Sequence, residues 1–341
     1  MHQELYHRLR CPQCHGRLLL QLESSPADEN ASGWLDCLVC VARYPVVEGI
    51  PRFVPMQNYA DSFGLIWHIF CRSVLDSALG VTHTRERFLR ETGWTPESLQ
   101  GRWVLEVGCG AGRFTEILLD CGAIVVAVDC SSSVDVCRRN LGPRDQLHLI
   151  QADVYALPFR PGTFDAVCSF GMLHRTPDAR RACLALPPQL KEGGKLAVDI
   201  APPRWFRRFG PTAWLRLLTQ RMSTDHAMAF ALQLTNWLLP CQQALGRVPF
   251  IGRWLQRLLP IAPVEALGTC SPDAIHQRAC LAMCDRLTAV HHHPGRIETL
   301  AAWLAEAGLE QTHVYRDNSM IVGRGVKPCR KAQAGSEARA A

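Results

Sequence analysis

The sequence predicts an α/β protein, an open and mainly parallel sheet with helices on both faces, preceded by a small β-rich unit. Three observations carry this. From Arg102 to Ile200, short β-branched segments alternate with helical ones, and repeated βα units of this length leave a parallel sheet covered on both sides. The first of these strands runs into a glycine-rich turn, "EVGCGAG", ahead of a helix. Near the start, two Cys-x-x-Cys pairs stand in a stretch without helical period.

The 341 residues are 48% hydrophobic and 20% charged. That is enough to bury one large core and a small satellite, and it excludes a disordered chain. The first residues lack the apolar stretch of a secretory signal, and no run of about 20 apolar residues would span a bilayer, so a cytoplasmic location is the expectation. Sixteen cysteines scattered through a chain of this length read as reduced, mostly buried thiols, because a disulfide scaffold belongs to short secreted chains.

In chain order, residues 1–56 read as a separate unit of short strands and turns that closes on "YPVVEGIPRFV". Residues 57–98 read as leading helices, from the spacing in "NYADSFGLIWHIF" and the charged "THTRERFLRETGW". Residues 99–325 hold the sheet: "WVLEVG", a helix from about Gly112, "AIVVAVD", a helix near Val134 to Asn140, "LHLIQAD", "FDAVCSF", a helix near Asp178 to Leu190, and "KLAVDI". Residues 201–285 are Trp-, Leu- and Arg-rich and read as a helical insertion. After it, "RIETLAAWLAEAGLEQTHVYRDNSMIVGRG" restores a helix and two strands. The Ala-, Gly- and charge-rich tail, 326–341, has nothing to bury and is expected to be disordered.

The glycine turn joins a strand ending in Glu106 to Gly108, Gly110 and Gly112, so the backbone can turn tightly and approach a ligand closely. A second strand ends in Asp129, the usual acidic position for accepting hydrogen bonds from ribose hydroxyls. Dinucleotide sites use Gly-x-Gly-x-x-Gly with a pyrophosphate at the helix N-terminus. Here the spacing is Gly-x-Gly-x-Gly behind an acid that would repel a pyrophosphate but suits a ligand bearing an ammonium group, such as the methionine part of S-adenosylmethionine. The bland alternative is a tight strand-to-helix turn and nothing more.

Together "LEVGCGAGRFTE", "VVAVDCSSSVD", "QADVYALPFRPGTFDAVCSFGMLHRTPD" and "LKEGGKLAVDI" resemble the successive motifs of class I S-adenosylmethionine-dependent methyltransferases of the type 11 group, over roughly residues 102–200. The resemblance implies a Rossmann-like sheet in which Glu106, Gly108, Gly110 and Gly112 surround the methionine moiety. It further implies that Asp129 holds the ribose, Asp153 and Val154 flank the adenine, and Ser169 and Phe170 stand beside the sulfonium. His174, in "GMLHRTP", matches a family histidine near the mouth of the site. It is the candidate catalytic residue, to orient or deprotonate the acceptor, or else it packs and caps the next helix. One departure from the family is Pro187-Pro188 ahead of a Lys-Glu-Gly-Gly turn, which should end or kink that helix early.

Cys11 and Cys14, then Cys37 and Cys40 after a 22-residue spacer, are close to the paired knuckles that deliver four thiolates to Zn²⁺. A unit of this size buries little, so a structural zinc would contribute folding free energy directly. Redox dithiols are the alternative, without the thioredoxin-like βαβ setting they need. The stretch from "CPQCHGRLLL" to "GIPRFV" is similar to the zinc ribbon of small methyltransferase-activating proteins and to ribbons fused to some rRNA guanine methyltransferases. His15 offers a spare ligand that four cysteines do not require.

Tyr59, Phe63 and Trp67 stand at i, i+4 and i+8, a stripe that is usually core. It also resembles the "YxxSFGxxW" segment of ribbon-fused bacterial methyltransferases, which implies a site-lining role. Residues 201–260 hold eight arginines (204, 207, 208, 216, 221, 247, 253, 257) against Asp225, a local +7. Such a segment could meet a membrane surface, an acidic substrate or a nucleic-acid backbone, or be only a solvated helix face. The ribbon has few basic residues and no recognisable stacking motif, which places RNA behind a small-molecule or amphipathic acceptor. His291 to His293 read as a polar connection, since adjacent side chains diverge. The expected activity is methyl transfer to O, N or C of an unidentified acceptor. The alternatives are an rRNA base methyltransferase and, outside enzymes, a non-catalytic partner-binding protein. Nothing in the sequence fixes the oligomeric state.

Overall fold

The computed structural model describes residues 3–23, 31–55, 57–203, 210–248, 252–256, 259–261, 272–317 and 320–329. Helix α1 (Gln3–Arg8) is followed by a four-stranded antiparallel sheet, β1 (Leu18–Leu22), β2 (Gly33–Cys37), β3 (Arg43–Val47) and β4 (Ile50–Pro51), paired in that order. Helices α2 (Asp61–Ile69), α3 (Asp76–Leu79), α4 (His83–Thr92) and α5 (Pro96–Leu99) lead into the main sheet. There, β5 (Trp103–Val107), α6 (Arg113–Asp120), β6 (Ile124–Asp129), α7 (Ser133–Leu141), β7 (Leu147–Gln151), β8 (Phe164–Ser169), α8 (Ala179–Leu184) and β9 (Leu190–Ile200) alternate as the pattern predicts.

The seven-stranded order is β10-β11-β9-β8-β5-β6-β7, completed by β10 (Glu310–Asp317) and β11 (Met320–Val326). Strands β5 to β9 pair in parallel, and β11 runs antiparallel to both β9 and β10. Strand alternation splits the core in two. Trp103, Leu105 and Val107 face one cluster, and Val104 faces the other with Phe114, Ile117 and Leu118 of α6. The second face is therefore covered by α4, α6 and α7, and the first by α8 and α13 (Ile297–Glu306). This is the Rossmann-like methyltransferase architecture, and the antiparallel unit in front of it fits a zinc ribbon.

Residues 201–285 supply α9 (Pro211–Thr219), α10 (Thr224–Gly246), α11 (Gly252–Gln256) and α12 (Pro272–Thr288), the last running past the boundary expected at 285. They form a third core, in which Met228, Ala231 and Leu239 of α10 and Met283, Cys284 and Leu287 of α12 enclose Ile66 and Phe70 of the leading segment. The insertion and α2 thus make one cap. No helix among the described residues is long and apolar enough to cross a membrane.

The structure departs from the sequence reading in two places near the N-terminus. Helix α1 forms where strands and turns are expected, because Leu5 and Leu9, one turn apart, bury against the main domain, where Leu9 bridges Phe159. The ribbon also has its own sheet but not its own core, since Leu18, Leu35, Tyr44 and Phe53 share a cluster with Val154, Leu157 and Phe164. As Pro187 and Pro188 dictate, α8 stops at Leu184 and a single 3₁₀ turn follows. The expected disordered tail falls almost wholly at 330–341, outside the described residues, as do Arg204, Arg207, Arg208 and Arg257.

Candidate active site

The carboxyl ends of the parallel strands open into a cavity of about 1090 Å³ beneath the cap, the place where open α/β sheets receive ligands. Gly108 and Gly110 line it with φ of 87° and 52°, a region that side chains rarely adopt. A Cβ on Gly108 would stand 2.7 Å from that of Met172, and one on Gly110 would stand 2.8 Å from Nε1 of Trp67. Bare backbone here is what lets Met172 and Trp67 close on the loop.

Asp129, at the end of β6, is in the cavity wall. Its Oδ2 accepts from the Gly110 N–H at 3.0 Å, and its Oδ1 from the N–H and hydroxyl of Ser131 at 2.9 and 2.7 Å. The carboxylate is fixed by the loop it serves. Gly112 does not face the cavity, since a Cβ there would meet Cys137 and Leu141 of α7 at 2.9 and 3.0 Å. It lets two helices approach.

Glu106 shares the parity of Val104 on β5 and lies beneath α6, where its Oε2 accepts from the Thr115 hydroxyl at 2.6 Å. Burial pushes its carboxyl up to about 8, against the Thr115 hydrogen bond and with Asp129 adding to the rise. Without a cation nearby it is mostly protonated at neutral pH.

Asp153 accepts at Oδ1 from the Tyr155 N–H and the Tyr59 hydroxyl, at 3.1 and 3.0 Å. Val154 and Phe170 line the cavity, and Phe170 is held among Phe88 and Phe114 at 5.7 and 5.1 Å between ring centroids. Ser169 is fully buried behind them, its hydroxyl without a partner. Tyr59, Phe63 and Trp67 all line the cavity, although α2 begins only at Asp61. The stripe is a wall, not a buried core face. Asn58 anchors its start by donating to the Cys130 carbonyl at 2.9 Å.

His174 lines the cavity and is 4% exposed, with no partner at Nδ1. Burial, then the charge of Arg175, then His292, push its imidazole down to about 2. The ring thus stands in the wall as a neutral imidazole with Nδ1 unpartnered, able to accept from an acceptor group. Its carbonyl accepts from the His293 N–H at 2.8 Å, and its ring meets His292 edge-on at 5.7 Å. The histidine run is thus part of the site's surroundings, with His292 on the cavity wall and His291 5.9 Å from His293. The sequence reading missed this. The available signal was its place just before the last sheet elements, where the chain must return across the carboxyl edge. Arg113 was missed as well, directly after the glycine loop and also in the wall.

In the ribbon, the sulfurs of Cys11, Cys14, Cys37 and Cys40 all lie within 4.8 Å of one another, with Cys11 to Cys40 at 3.6 Å and Cys14 to Cys37 at 3.4 Å. This is the one such cluster among the described residues. The residue after each pair, His15 and Val41, takes a positive φ, of 58° and 54°. For a β-branched residue that is a strained backbone. The Val39 and Cys40 N–H groups point at Cys37 Sγ, 3.4 Å from each. Burial opposes ionisation of Cys37, but these N–H groups together with the Cys14 and Cys40 side chains outweigh it and bring the thiol down to about 6. Four converging sulfurs, one tending to thiolate, suit a tetrahedral soft-metal site, and His15 is not part of it. The ribbon is stitched to the main sheet at its β7 edge. Phe53 N–H donates to the Gln151 carbonyl at 2.7 Å, while Arg52 reaches the Gln151 side chain at 2.8 Å and Asp135 at 2.7 Å.

Residues 105–198 match the family described as a methyltransferase domain. Similar proteins include the ubiquinone biosynthesis O-methyltransferase of Coxiella burnetii, 35% identical over 101 residues, which are 29% of this chain and 43% of the relative. That of Thiobacillus denitrificans is 36% identical over 104 residues, 29% and 44% of the two chains. The chain therefore spans less than half the length of the curated relatives it matches. Among solved structures, human N-acetylserotonin methyltransferase in complex with SAM is 12% identical, with 80% of this chain and 57% of that one covered at a TM-score of 0.40.

Proposed function

We propose that the chain transfers the activated methyl of S-adenosylmethionine to a nucleophilic atom, most readily an oxygen, of a small or amphipathic acceptor. The observation that carries this is the shared cavity: Gly108, Gly110 and Asp129 open into the same space that α12 and the aromatic wall enclose from above. The residues present fit the cofactor. Bare loop backbone admits the methionine end, Asp129 offers a fixed carboxylate to the ribose, Asp153 and Val154 flank the place for the adenine, and Phe170 stands beside the sulfonium. When bound, S-adenosylmethionine supplies an electrophilic methyl on its sulfonium. Trp67, Phe63 and Phe170 exclude water, and His174 orients the acceptor as a neutral hydrogen-bonding ring. The rate then comes mainly from alignment in a water-poor cleft. The name carried by the relatives supports oxygen as the acceptor atom.

The four cysteines would hold a structural Zn²⁺ that fixes the ribbon and, through Arg52 and Phe53, the β7 edge. The cap would meet a membrane surface. Trp214, Leu217 and Leu218, on one face of α9, are 71, 58 and 50% exposed, with exposed Arg221 one turn further on, the make-up of a helix that lies in an anionic interface.

The test is incubation of the purified chain with methyl-labelled S-adenosylmethionine and fractionated extract that includes membranes. Label is expected in lipid or small molecules. Label confined to RNA would turn the reading to a base methyltransferase, and cofactor binding without transfer to any fraction would turn it to a partner-binding protein.

A further inference from the structure

Arg52, at the end of the ribbon unit, is buried against the main domain. Its guanidinium donates through Nη1 to Oε1 of Gln151 at 2.8 Å and through Nη2 to Oδ1 of Asp135, in the first turn of α7, at 2.7 Å. Gln151 closes β7 and is fully buried, and its Nε2 donates to the Cys130 carbonyl at 3.1 Å. Asn58, from the leading segment, donates to the same carbonyl at 2.9 Å. Neither Arg52 nor Gln151 lines the cavity, whereas Asp129 and Cys130 do. The Cys130 carbonyl and the Ser131 N–H are the two ends of one planar peptide. That N–H is one of the donors that hold Oδ1 of Asp129, at 2.9 Å.

A primary amide carries an acceptor and a donor of nearly equal size, so Gln151 by itself could turn either one toward the carbonyl. A guanidinium only donates. By claiming Oε1, Arg52 leaves the donor Nε2 to face Cys130, and the grip on that carbonyl aims the other end of the peptide at Asp129. We propose that Arg52 is a positioning residue of the cofactor site, which orients the Gln151 amide and, through the Cys130–Ser131 peptide, fixes the Asp129 carboxylate. Resting on the S-adenosylmethionine reading, this makes the ribbon unit a determinant of cofactor affinity, although it supplies no residue to the cavity wall.

Titration calorimetry of the full chain with S-adenosylhomocysteine tests the relay in Gln151→Glu, Arg52→Gln and Arg52→Lys, each checked for native circular dichroism. Gln151→Glu separates positioning from mere support. A glutamate keeps an oxygen on Arg52, now as an ion pair, but turns a second oxygen in place of the donor toward the Cys130 carbonyl. S-adenosylhomocysteine is expected to bind about fivefold more weakly or worse, the worth of one buried hydrogen bond, although the ribbon contact is kept. Arg52→Gln is expected to lose a similar factor, and Arg52→Lys, which can still donate to Oε1, to recover part of it. An Arg52 that only holds the ribbon in place predicts unchanged affinity in Gln151→Glu. Wild-type affinity in Gln151→Glu or in Arg52→Gln therefore overturns the relay, and should one of the two fail to fold, the other decides. Wild-type protein that does not bind S-adenosylhomocysteine overturns the S-adenosylmethionine reading instead.

Discussion

Glu106 gives the most quantitative prediction. Its carboxyl is buried beneath α6 and pushed up to about 8, so at pH 7 about nine-tenths of the ligand-free protein carries the proton. Although the side chain points under α6 and not into the cavity, a cation bound over the adjoining glycine loop favours its carboxylate and draws the pKa down, so binding of S-adenosylhomocysteine should release part or all of that proton. Calorimetry at pH 7 in phosphate and in Tris, whose ionisation enthalpies differ, should report release of up to about 0.9 proton per cofactor. By linkage, affinity should rise by close to tenfold between pH 6 and 7, about 1.4 kcal/mol, and level off above about 8. Glu106→Gln should abolish both effects. Thr115→Val removes the hydroxyl that holds the pKa down and should move the plateau upward. The folded-state pKa lies above the ordinary value, so the ligand-free fold is favoured with Glu106 protonated and should lose stability as pH rises from 4.5 through 8. No proton release with a flat affinity profile would refute the reasoning.

Three further outcomes are expected. Cys11→Ser, or prolonged chelation, should remove one zinc per chain by elemental analysis and lower the melting temperature of the whole protein in one transition, because ribbon and sheet share a core; an unchanged melting curve would contradict this. Gly110→Ala adds a Cβ 2.8 Å from Trp67 at a positive φ, and should weaken S-adenosylhomocysteine by at least about tenfold while circular dichroism stays native. His174→Ala should lower kcat without shifting the acid limb of the rate profile, since the imidazole is already neutral above about pH 2; loss of an acid limb near pH 6.5 would restore it as the base.

The centre of the sheet was legible in the sequence because β5, β6 and β8 are buried on both faces and so read as near-continuous apolar runs. The site was legible where chemistry follows the strand ends: Gly108, Gly110 and Asp129 stand where their spacing puts them. Strand parity would also have revealed that Glu106 points under α6 with Val104 and not into the cavity. Helix α1 was not legible, since Leu5 and Leu9 make a helix only by packing on Phe159. The same holds for Arg278, His292 and Asp285, which enter the wall because the cap folds onto α2 and the chain then returns across the sheet edge. Long-range packing of that kind leaves no periodicity to read.

The central claim, that this cavity takes S-adenosylmethionine, is tested most directly by titrating the purified full chain with S-adenosylhomocysteine alongside Asp129→Ala. One site per chain is expected in the wild type, with affinity reduced at least about tenfold in the variant, whose ribose partner is gone. No binding to the wild type, or equal binding to both, would contradict it.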